Sequence, residues 1–149
     1  MPYQERIAQS IQAFKSAVAD PSLDTVIEAL LIKAYEKMSG VDLFSETSKR
    51  GSQFQEVPTS SGPVYYLNIS RSAPNKREII YELLHEMGHA FDEIKLDPAD
   101  KENSEKGREL RAWAFADQQL NASPELRTYL PEYIEHKRKR IETYGLTID

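Results

Sequence analysis

The sequence predicts an α+β fold, a single and mostly helical domain with a small three-stranded sheet. At 149 residues the chain is long enough for one hydrophobic core and too short for two of comfortable size. Apolar residues recur at three- and four-residue spacing in residues 1–40 and again after residue 75, which indicates amphipathic helices. In residues 41–72 they form short β-branched and aromatic runs separated by glycine and proline, which is typical of strands and turns.

Composition argues against several classes of protein. The formal net charge of −5 disfavours general nucleic-acid binding, which needs clustered basic residues. The chain has no cysteine, so any metal must be held by nitrogen and oxygen. No apolar run approaches the roughly 20 residues of a membrane span, and no basic region followed by an apolar stretch opens the chain. We expect a cytoplasmic protein that binds neither nucleic acids nor membranes, in an oligomeric state that composition leaves open.

Residues 1–40 are predicted to be a helical scaffold without a chemical site. The first helix has apolar residues at helical spacing, namely Ile7, Ile11, Phe14 and Val18. It is expected to end before Asp20-Pro21, because the residue before a proline disfavours helix. Ser22 is expected to cap a second helix that ends near Ser39-Gly40, since glycine is a common helix stop.

Residues 41–72 are predicted to form the sheet. Residues 64–69 give the best strand, residues 54–57 a plausible partner and residues 41–44 a weaker third strand. The polar segments 45–53 and 59–62 are expected to be loops.

Residues 75–121 are predicted to form the two helices of a metal site. Asn75 can cap the first helix, and Asp97-Pro98 should lie beyond its end. The second helix should start near Asn103 or Ser104 and run to about residue 121.

Residues 123–149 are predicted to form two short C-terminal helices. Ser123-Pro124-Glu125 combines a cap, a first-turn proline and a first-turn acid. Pro131 is expected to divide the segment that follows. The basic run at 136–140 is expected to be an exposed helix end, where cations interact favourably with the helix dipole.

Residues 85–89 read His-Glu-Met-Gly-His, the pattern that is most informative about function. On a helix His85 and His89 lie one turn apart on one face, so their imidazoles can hold a zinc ion with Glu86 beside it as general base. The apolar residues of this helix fall within about 140°; they are Ile79, Ile80, Leu83, Leu84, Met87, Ala90, Phe91 and Ile94. The opposite side has Tyr81, Glu82, His85, His89 and Asp92, with Glu86 near the boundary. Histidines outside the apolar face are more consistent with metal ligands than with core residues.

Gly88 predicts a close backbone contact within the motif. Glycine inside a helix costs about 1 kcal/mol relative to alanine, so its presence suggests that another backbone packs there. A strand bordering a cleft is the element we expect.

A catalytic zinc needs a third protein ligand and an open position for water. His136 is the remaining histidine, but it belongs to the basic run, where neighbouring positive charge would oppose metal binding. Glu109 is favoured because it continues an inward-facing helical row, and a buried carboxylate is costly unless it is paired or metal-bound. That row contains Glu109, Ala112, Trp113, Ala116 and Leu120. The small alanines would let this helix approach the motif helix.

Other carboxylates and another role for Glu109 stay open at this point. Glu105, one turn earlier, is the second choice as ligand, and Asp117 and Glu102 are more distant alternatives. In the alternative role, Glu109 only forms an ion pair with Arg108, Arg111 or Lys106.

These residues resemble the HExxH zinc metallopeptidases, in particular the ImmA/IrrE family of mobile elements and stress regulators. The resemblance covers residues 65–124. In that family a short strand leads into a helix with His-Glu-x-Gly-His, and a later helix has a glutamate three residues before an alanine, then Phe-Ala. Glu109, Ala112 and Phe115-Ala116 stand in that relation, whereas Trp113 stands where the family often has asparagine. The resemblance implies a minimal zincin fold, with the sheet packed on the motif helix, and supports Glu109 as the ligand.

A second likeness is to zincin toxins of the anthrax lethal factor type. It rests on residues 88–93 and on the segments 115–117, 123–126 and 130–133. That group places its ligand glutamate nearer the Phe-Ala pair, where this chain has Trp113. Both likenesses imply the same metal and the same catalytic glutamate, but one implies a regulator cleaved inside the cell and the other a foreign target protein.

The sequence therefore predicts a zinc metallopeptidase that hydrolyses a protein or peptide substrate. An extended substrate would add to an edge of the sheet, with residues 64–69 as its lining. Asp92 or Glu93 would orient a ligand imidazole, and the oxyanion donor is one of Tyr81, Tyr129, Tyr133 and His136. The rival hypotheses are a metal-binding or protein-interaction domain without catalysis and a helical adaptor with a chance motif.

Overall fold

The computed structural model describes residues 3–45, 51–73 and 75–143. These residues form a mostly helical α+β domain with a small mixed sheet, as the sequence predicts. The elements are α1 (Tyr3–Val18), α2 (Asp24–Ala34), β1 (Gly40–Phe44), β2 (Gln53–Thr59), β3 (Gly62–Ser70), α3 (Glu78–Ala90), α4 (Lys101–Ala122), α5 (Pro124–Arg127) and α6 (Leu130–Glu142). None of the helices in these ranges has both the length and the apolar character needed to cross a bilayer.

The sheet has the strand order β1-β3-β2, so β3 is its central strand. β1 runs parallel to β3, and β2 forms an antiparallel hairpin with it through a turn that ends at Gly62, whose φ of 111° suits glycine. The pairing of residues 54–57 with residues 64–69 is confirmed. The expectation that residues 64–69 line an open edge is wrong, because β3 is hydrogen-bonded on both sides.

At the outer edge of β1, side chains hydrogen-bond the backbone of Val41. The Val41 N–H donates to the Tyr35 hydroxyl at 3.0 Å, and the Ser10 hydroxyl donates to the Val41 carbonyl at 2.8 Å. Strand β2 forms the other edge of the sheet; it is mostly exposed and contains Pro58, a residue tolerated on edge strands.

Two predicted boundaries in the N-terminal scaffold are wrong. Ser22 does not cap α2, because the Asp20 carboxylate accepts a hydrogen bond from the Ser22 N–H and starts a short 3-10 turn before α2. The second helix ends at Ala34 instead of near Gly40, which is the first residue of β1. The apolar spacing continues past the helix because Tyr35 and Met38, in the following turn, are also buried.

The motif helix α3 is buried on all sides. It packs against β3, β2, α4 and α6, and every residue from Ile79 to Ala90 is buried. Its polar side is therefore covered by other helices. Ile94 was predicted to belong to its apolar face, but α3 ends at Ala90 and the Ile94 side chain is exposed.

The C-terminal helices begin as predicted. The Ser123 hydroxyl accepts a hydrogen bond from the Leu126 N–H, so the predicted cap of α5 is confirmed. Pro131 lies in the first turn of α6. Helix α4 begins at Lys101, slightly before the predicted start.

A polar cluster around Glu132 joins the start of α3 to the start of α6. Glu132 accepts hydrogen bonds from Arg77 Nε at 2.9 Å and Arg77 Nη2 at 2.8 Å, and also from Asn75 and the Tyr81 hydroxyl. The Arg77 guanidinium lowers the pKa of Glu132 from 4.5 to about 2. The carboxylate therefore stabilises the fold when it is charged.

Replacing Glu132 by glutamine is expected to lower the free energy of unfolding at pH 7 by about 2 kcal/mol, a figure discounted for the partial exposure of the pair. Because the pKa of Glu132 is lowered on folding, its contribution is complete above pH 4.5 and is lost as the pH falls towards 2. Urea unfolding should show that the difference in the free energy of unfolding between wild type and variant is smaller at pH 3 than at pH 7. Glu135→Gln, an exposed member of an ion pair on the same helix, is the control. A difference that is constant with pH would contradict this role.

Candidate metal centre

The two motif histidines and Glu109 converge between α3 and α4. His85 Nε2 lies 2.9 Å from Glu109 Oε2, and His89 Nε2 lies 2.9 Å from Glu109 Oε1. One potential ligand atom from each residue lies within 4.8 Å of the other two. The three ligands predicted from the sequence are thus brought together, and one carboxylate bridges both rings.

The close packing of α3 on α4 positions these side chains. A Cβ built on Gly88 would lie 2.4 Å from the Ala112 carbonyl oxygen and 2.7 Å from the Ala112 Cα. The predicted close contact at Gly88 is confirmed, but its partner is a helix and not the expected strand. Ala112 follows Glu109 by almost one turn, so the same contact brings the carboxylate to the histidines.

The other carboxylates considered as the third ligand do not lie at this centre, and among the residues that the structure describes Glu109 does not have the alternative role of an ion pair with arginine or lysine. Glu105 is exposed. Asp117 accepts hydrogen bonds from Tyr133 and Lys137, and Glu102 pairs with Lys106. Arg111 pairs with Asp92 at 3.0 Å. The observed partners of Glu109 are the two histidines.

The electrostatics of the site favour charge separation between Glu109 and His85. Burial raises the pKa of Glu109, but hydrogen bonds from His85 and His89 outweigh it and lower the pKa to about 2. Burial lowers the pKa of His85, but the hydrogen bond to Glu109 and the nearby negative charge of Glu86 outweigh it and raise the pKa to about 9. A carboxylate held charged in a buried position is a suitable ligand for a divalent cation, whereas His85 must release its proton before it can bind one.

Several buried polar atoms at the site have no hydrogen-bond partner in the described part of the chain. They are His85 Nδ1, His89 Nδ1, Glu86 Oε2 and Trp113 Nε1. Glu86 Oε2 lies 3.3 Å from His85 Nδ1, without the alignment of a hydrogen bond. Asp92 or Glu93 was expected to orient an imidazole, but Asp92 binds Arg111 and Glu93 is exposed. That expectation is wrong.

His136 is not the exposed helix end that the sequence predicts. Its Nδ1 lies 3.0 Å from Glu78 Oε1 and its Nε2 lies 2.7 Å from Glu82 Oε2, which also accepts from Arg140 at 3.0 Å. Burial raises the pKa of Glu82, but His136 and Arg140 outweigh it and lower the pKa. The reason is that α6 packs against the polar side of α3. The spacing of these residues indicates such a contact, because Glu78 and Glu82 lie four residues apart on α3 and His136 and Arg140 lie four residues apart on α6.

Three of the four candidates for the oxyanion donor use their donor groups elsewhere. The Tyr81 hydroxyl donates to Glu132, and the Tyr133 hydroxyl donates to Asp117 at 2.7 Å. His136 is held between two carboxylates. The Tyr129 ring lies against the Arg77 guanidinium at 4.3 Å, a contact that involves its ring and not its hydroxyl.

Access to the centre is narrow. The side chains of the motif are nearly closed to solvent, since His85, Glu86 and His89 are 1%, 4% and 7% exposed. A cavity of about 380 Å³ lies along the first half of α4, and Glu109 is part of its wall. The other lining residues are Glu102, Glu105, Lys106 and Arg108. Their charges are balanced, so the cavity walls beside Glu109 do not favour one sign of ligand.

Comparison of the chain with known protein families, with curated proteins and with solved structures finds no match. The geometry of this centre is therefore the basis on which a function can be inferred.

Proposed function

We propose that this protein is a zinc metallopeptidase that cleaves a peptide bond in a protein or peptide substrate. His85, His89 and Glu109 hold the zinc ion, and Glu86 is the general base. The observation that supports the proposal most is the position of the Glu109 carboxylate, 2.9 Å from the Nε2 atom of each motif histidine.

The donor set fits zinc. Two imidazole nitrogens and a carboxylate oxygen form a usual catalytic zinc site, which leaves the fourth position for water. Neighbouring ligand atoms around a tetrahedral ion with bonds of about 2.0–2.1 Å lie about 3.3 Å apart. The present contacts of 2.9 Å use a different oxygen of Glu109 for each ring, and one ligand atom from each of the three residues lies within 4.8 Å of the other two, so the side chains would have to adjust to hold one ion.

Glu86 suits the role of general base. It follows the first ligand on α3 and is 4% exposed, and its Oε2 has no hydrogen-bond partner within the described ranges. Leaving a buried carboxylate oxygen unpaired costs roughly 1–3 kcal/mol or more. Because no described residue competes for this oxygen through a hydrogen bond, it can accept a proton from water. Bound zinc would supply the acidity, since it lowers the pKa of its water to about 7. Glu86 then returns the proton to the leaving amine.

An extended substrate would pair with the outer edge of β2. The corresponding edge of β1 is occupied by Ser10 and Tyr35, whereas β2 is exposed and borders the motif helix. Backbone pairing with a sheet edge is a common mode of peptide recognition. We infer a cytoplasmic location from the composition. A regulator of a mobile element and a toxin-like effector stay alternative settings for the same chemistry.

A structural metal site is the second candidate function. It is favoured by the burial of the centre, because structural zinc sites are closed whereas catalytic sites keep an open position. In that case the ion would fasten α3 to α4 without turnover.

Zinc binding and cleavage by a Glu109→Gln variant test the proposal. We expect wild type to bind one zinc per chain and to cleave an unfolded protein such as casein. The variant should bind zinc at least about a hundredfold more weakly, because a missing direct ligand costs more than the 10–100-fold typical of outer-shell partners. Atomic absorption after dialysis and cleavage assays give the two readouts.

Glu105→Gln is the matched control for this experiment. Glu105 is an exposed carboxylate one turn earlier on the same helix, so its loss should leave zinc content unchanged. Wild-type protein that takes up no stoichiometric zinc would overturn the proposal.

A further inference from the structure

The His85 ring lacks the hydrogen bond that usually orients a metal-binding histidine. Such a histidine normally donates its second N–H to a carboxylate or a carbonyl, which fixes the plane of the ring. His85 Nδ1 is buried and has no hydrogen-bond partner among the described residues. Some other contact must therefore hold this ring with its Nε2 towards Glu109.

The Trp113 indole provides that contact. Its ring is stacked on the His85 imidazole with a centroid distance of 4.3 Å and an interplanar angle of 13°. Trp113 is 1% exposed and follows Glu109 by one turn of α4. The same helix thus contacts His85 twice, with a carboxylate at the ring nitrogen and an indole against the ring face.

The surroundings of Trp113 keep the indole in place. Two rings of α6 lie beside the indole. The centroid of the Tyr133 ring is 6.2 Å from that of the indole, and the centroid of the His136 ring is 6.3 Å from it. The indole Nε1 is buried and has no partner within the ranges that the structure describes, so the described part of the chain holds the ring by packing and not by a hydrogen bond. Aromatic stacking of this kind stabilises one relative orientation of two rings.

We propose that Trp113 is a positioning residue of the metal centre: its stacked indole fixes the plane of His85 and replaces the missing hydrogen bond at Nδ1. The inference rests on the proposed zinc site and adds a determinant of its affinity. It requires an aromatic ring at position 113 and not merely an apolar side chain.

Zinc affinity measured by chelator competition in three variants tests this role. Trp113→Phe keeps a flat ring and removes the unpartnered N–H, so it should bind zinc within about threefold of wild type. Trp113→Leu fills the space without a ring and should bind zinc about 10–100-fold more weakly, the usual effect of losing an outer-shell partner. Leu120→Ala is the control, because Leu120 is fully buried on the same helical row but two turns away from Trp113. It should lower stability and leave zinc affinity unchanged.

A spectroscopic measurement on wild type does not depend on the folding of any variant. Trp113 is the only tryptophan of the chain, so the intrinsic fluorescence reports on the ring that touches His85. Titration with Zn²⁺ should change the emission in a saturable way and reach its limit at one equivalent. Co²⁺, which is paramagnetic, should quench it at the same stoichiometry.

The outcomes separate this inference from the proposed function. Unchanged zinc affinity in Trp113→Leu, affinity as weak in Trp113→Phe as in Trp113→Leu, or zinc binding without any change in fluorescence would each overturn the positioning role while the zinc site stands. Failure of wild type to bind zinc would overturn both.

Discussion

Replacing Glu86 by glutamine is expected to lower kcat for peptide cleavage by about 10²–10⁴-fold, the usual contribution of a general base. Glutamine has nearly the same shape but cannot accept a proton from the attacking water. Because Glu86 is not one of the three ligands, zinc content should stay at one ion per chain. Cleavage of an unfolded protein substrate and metal analysis of the same preparation give the two measurements.

The same variant decides between a catalytic and a structural zinc. If Glu86→Gln retains both zinc and wild-type cleavage, the assigned base is wrong. If wild type binds zinc but shows no turnover with any unfolded protein, the structural site is the better account. Glu93→Gln is a suitable control, since this carboxylate lies just beyond the same helix and is exposed. It should leave kcat unchanged.

Gly88→Ala is expected to destabilise the protein by up to about 2 kcal/mol, with a larger loss where the backbone does not yield, and to weaken zinc binding. The new Cβ would lie 2.4 Å from the Ala112 carbonyl oxygen and 2.7 Å from its Cα, and both are backbone atoms. Overpacking of this kind costs typically about 1–3 kcal/mol and occasionally more, while alanine regains about 1 kcal/mol of helix propensity. Relief requires α4 to move away, and Glu109 would move with it.

Gly107→Ala provides a matched comparison for that experiment. Gly107 is also a helical glycine, on α4, but the nearest atom to its Cβ would be Arg111 Nη1 at 3.1 Å, the end of a flexible side chain. This variant should be neutral or more stable by up to about 1 kcal/mol. Urea unfolding and zinc competition on both variants give the result. Equal stability of the two would contradict the close helix contact as the reason for Gly88.

The three residues of the candidate metal centre could be predicted from the sequence because their geometry is local or periodic. His85 and His89 are fixed by one turn of helix, and Glu109 was identified by its place in an inward-facing row on the next helix. Gly88 and Ala112 indicated that the two helices approach closely, although the partner element was predicted incorrectly. These inferences depend on the spacing of residues within single helices.

The features that the sequence did not predict depend on which elements pack together. The strand order makes residues 64–69 central, and nothing in a strand's own residues determines its place in a sheet. Helical periodicity identified the apolar side of α3 but not the helices that cover its polar side. For the same reason His136, which binds Glu78 and Glu82 from a distant helix, was expected to be exposed.

The hydroxyl groups of Ser10 and Tyr35, which hydrogen-bond the backbone of Val41, make the two edges of the sheet unequal. Among the described residues no strand pairs with the outer edge of Gln53–Thr59, whereas at the opposite edge Ser10 and Tyr35 already use the Val41 amide and carbonyl. Stacking of successive copies needs both edges of a sheet, and it is disfavoured at the edge where the Val41 groups are used. A peptide substrate paired with β2, as proposed above, would therefore not prepare the opposite edge for further copies.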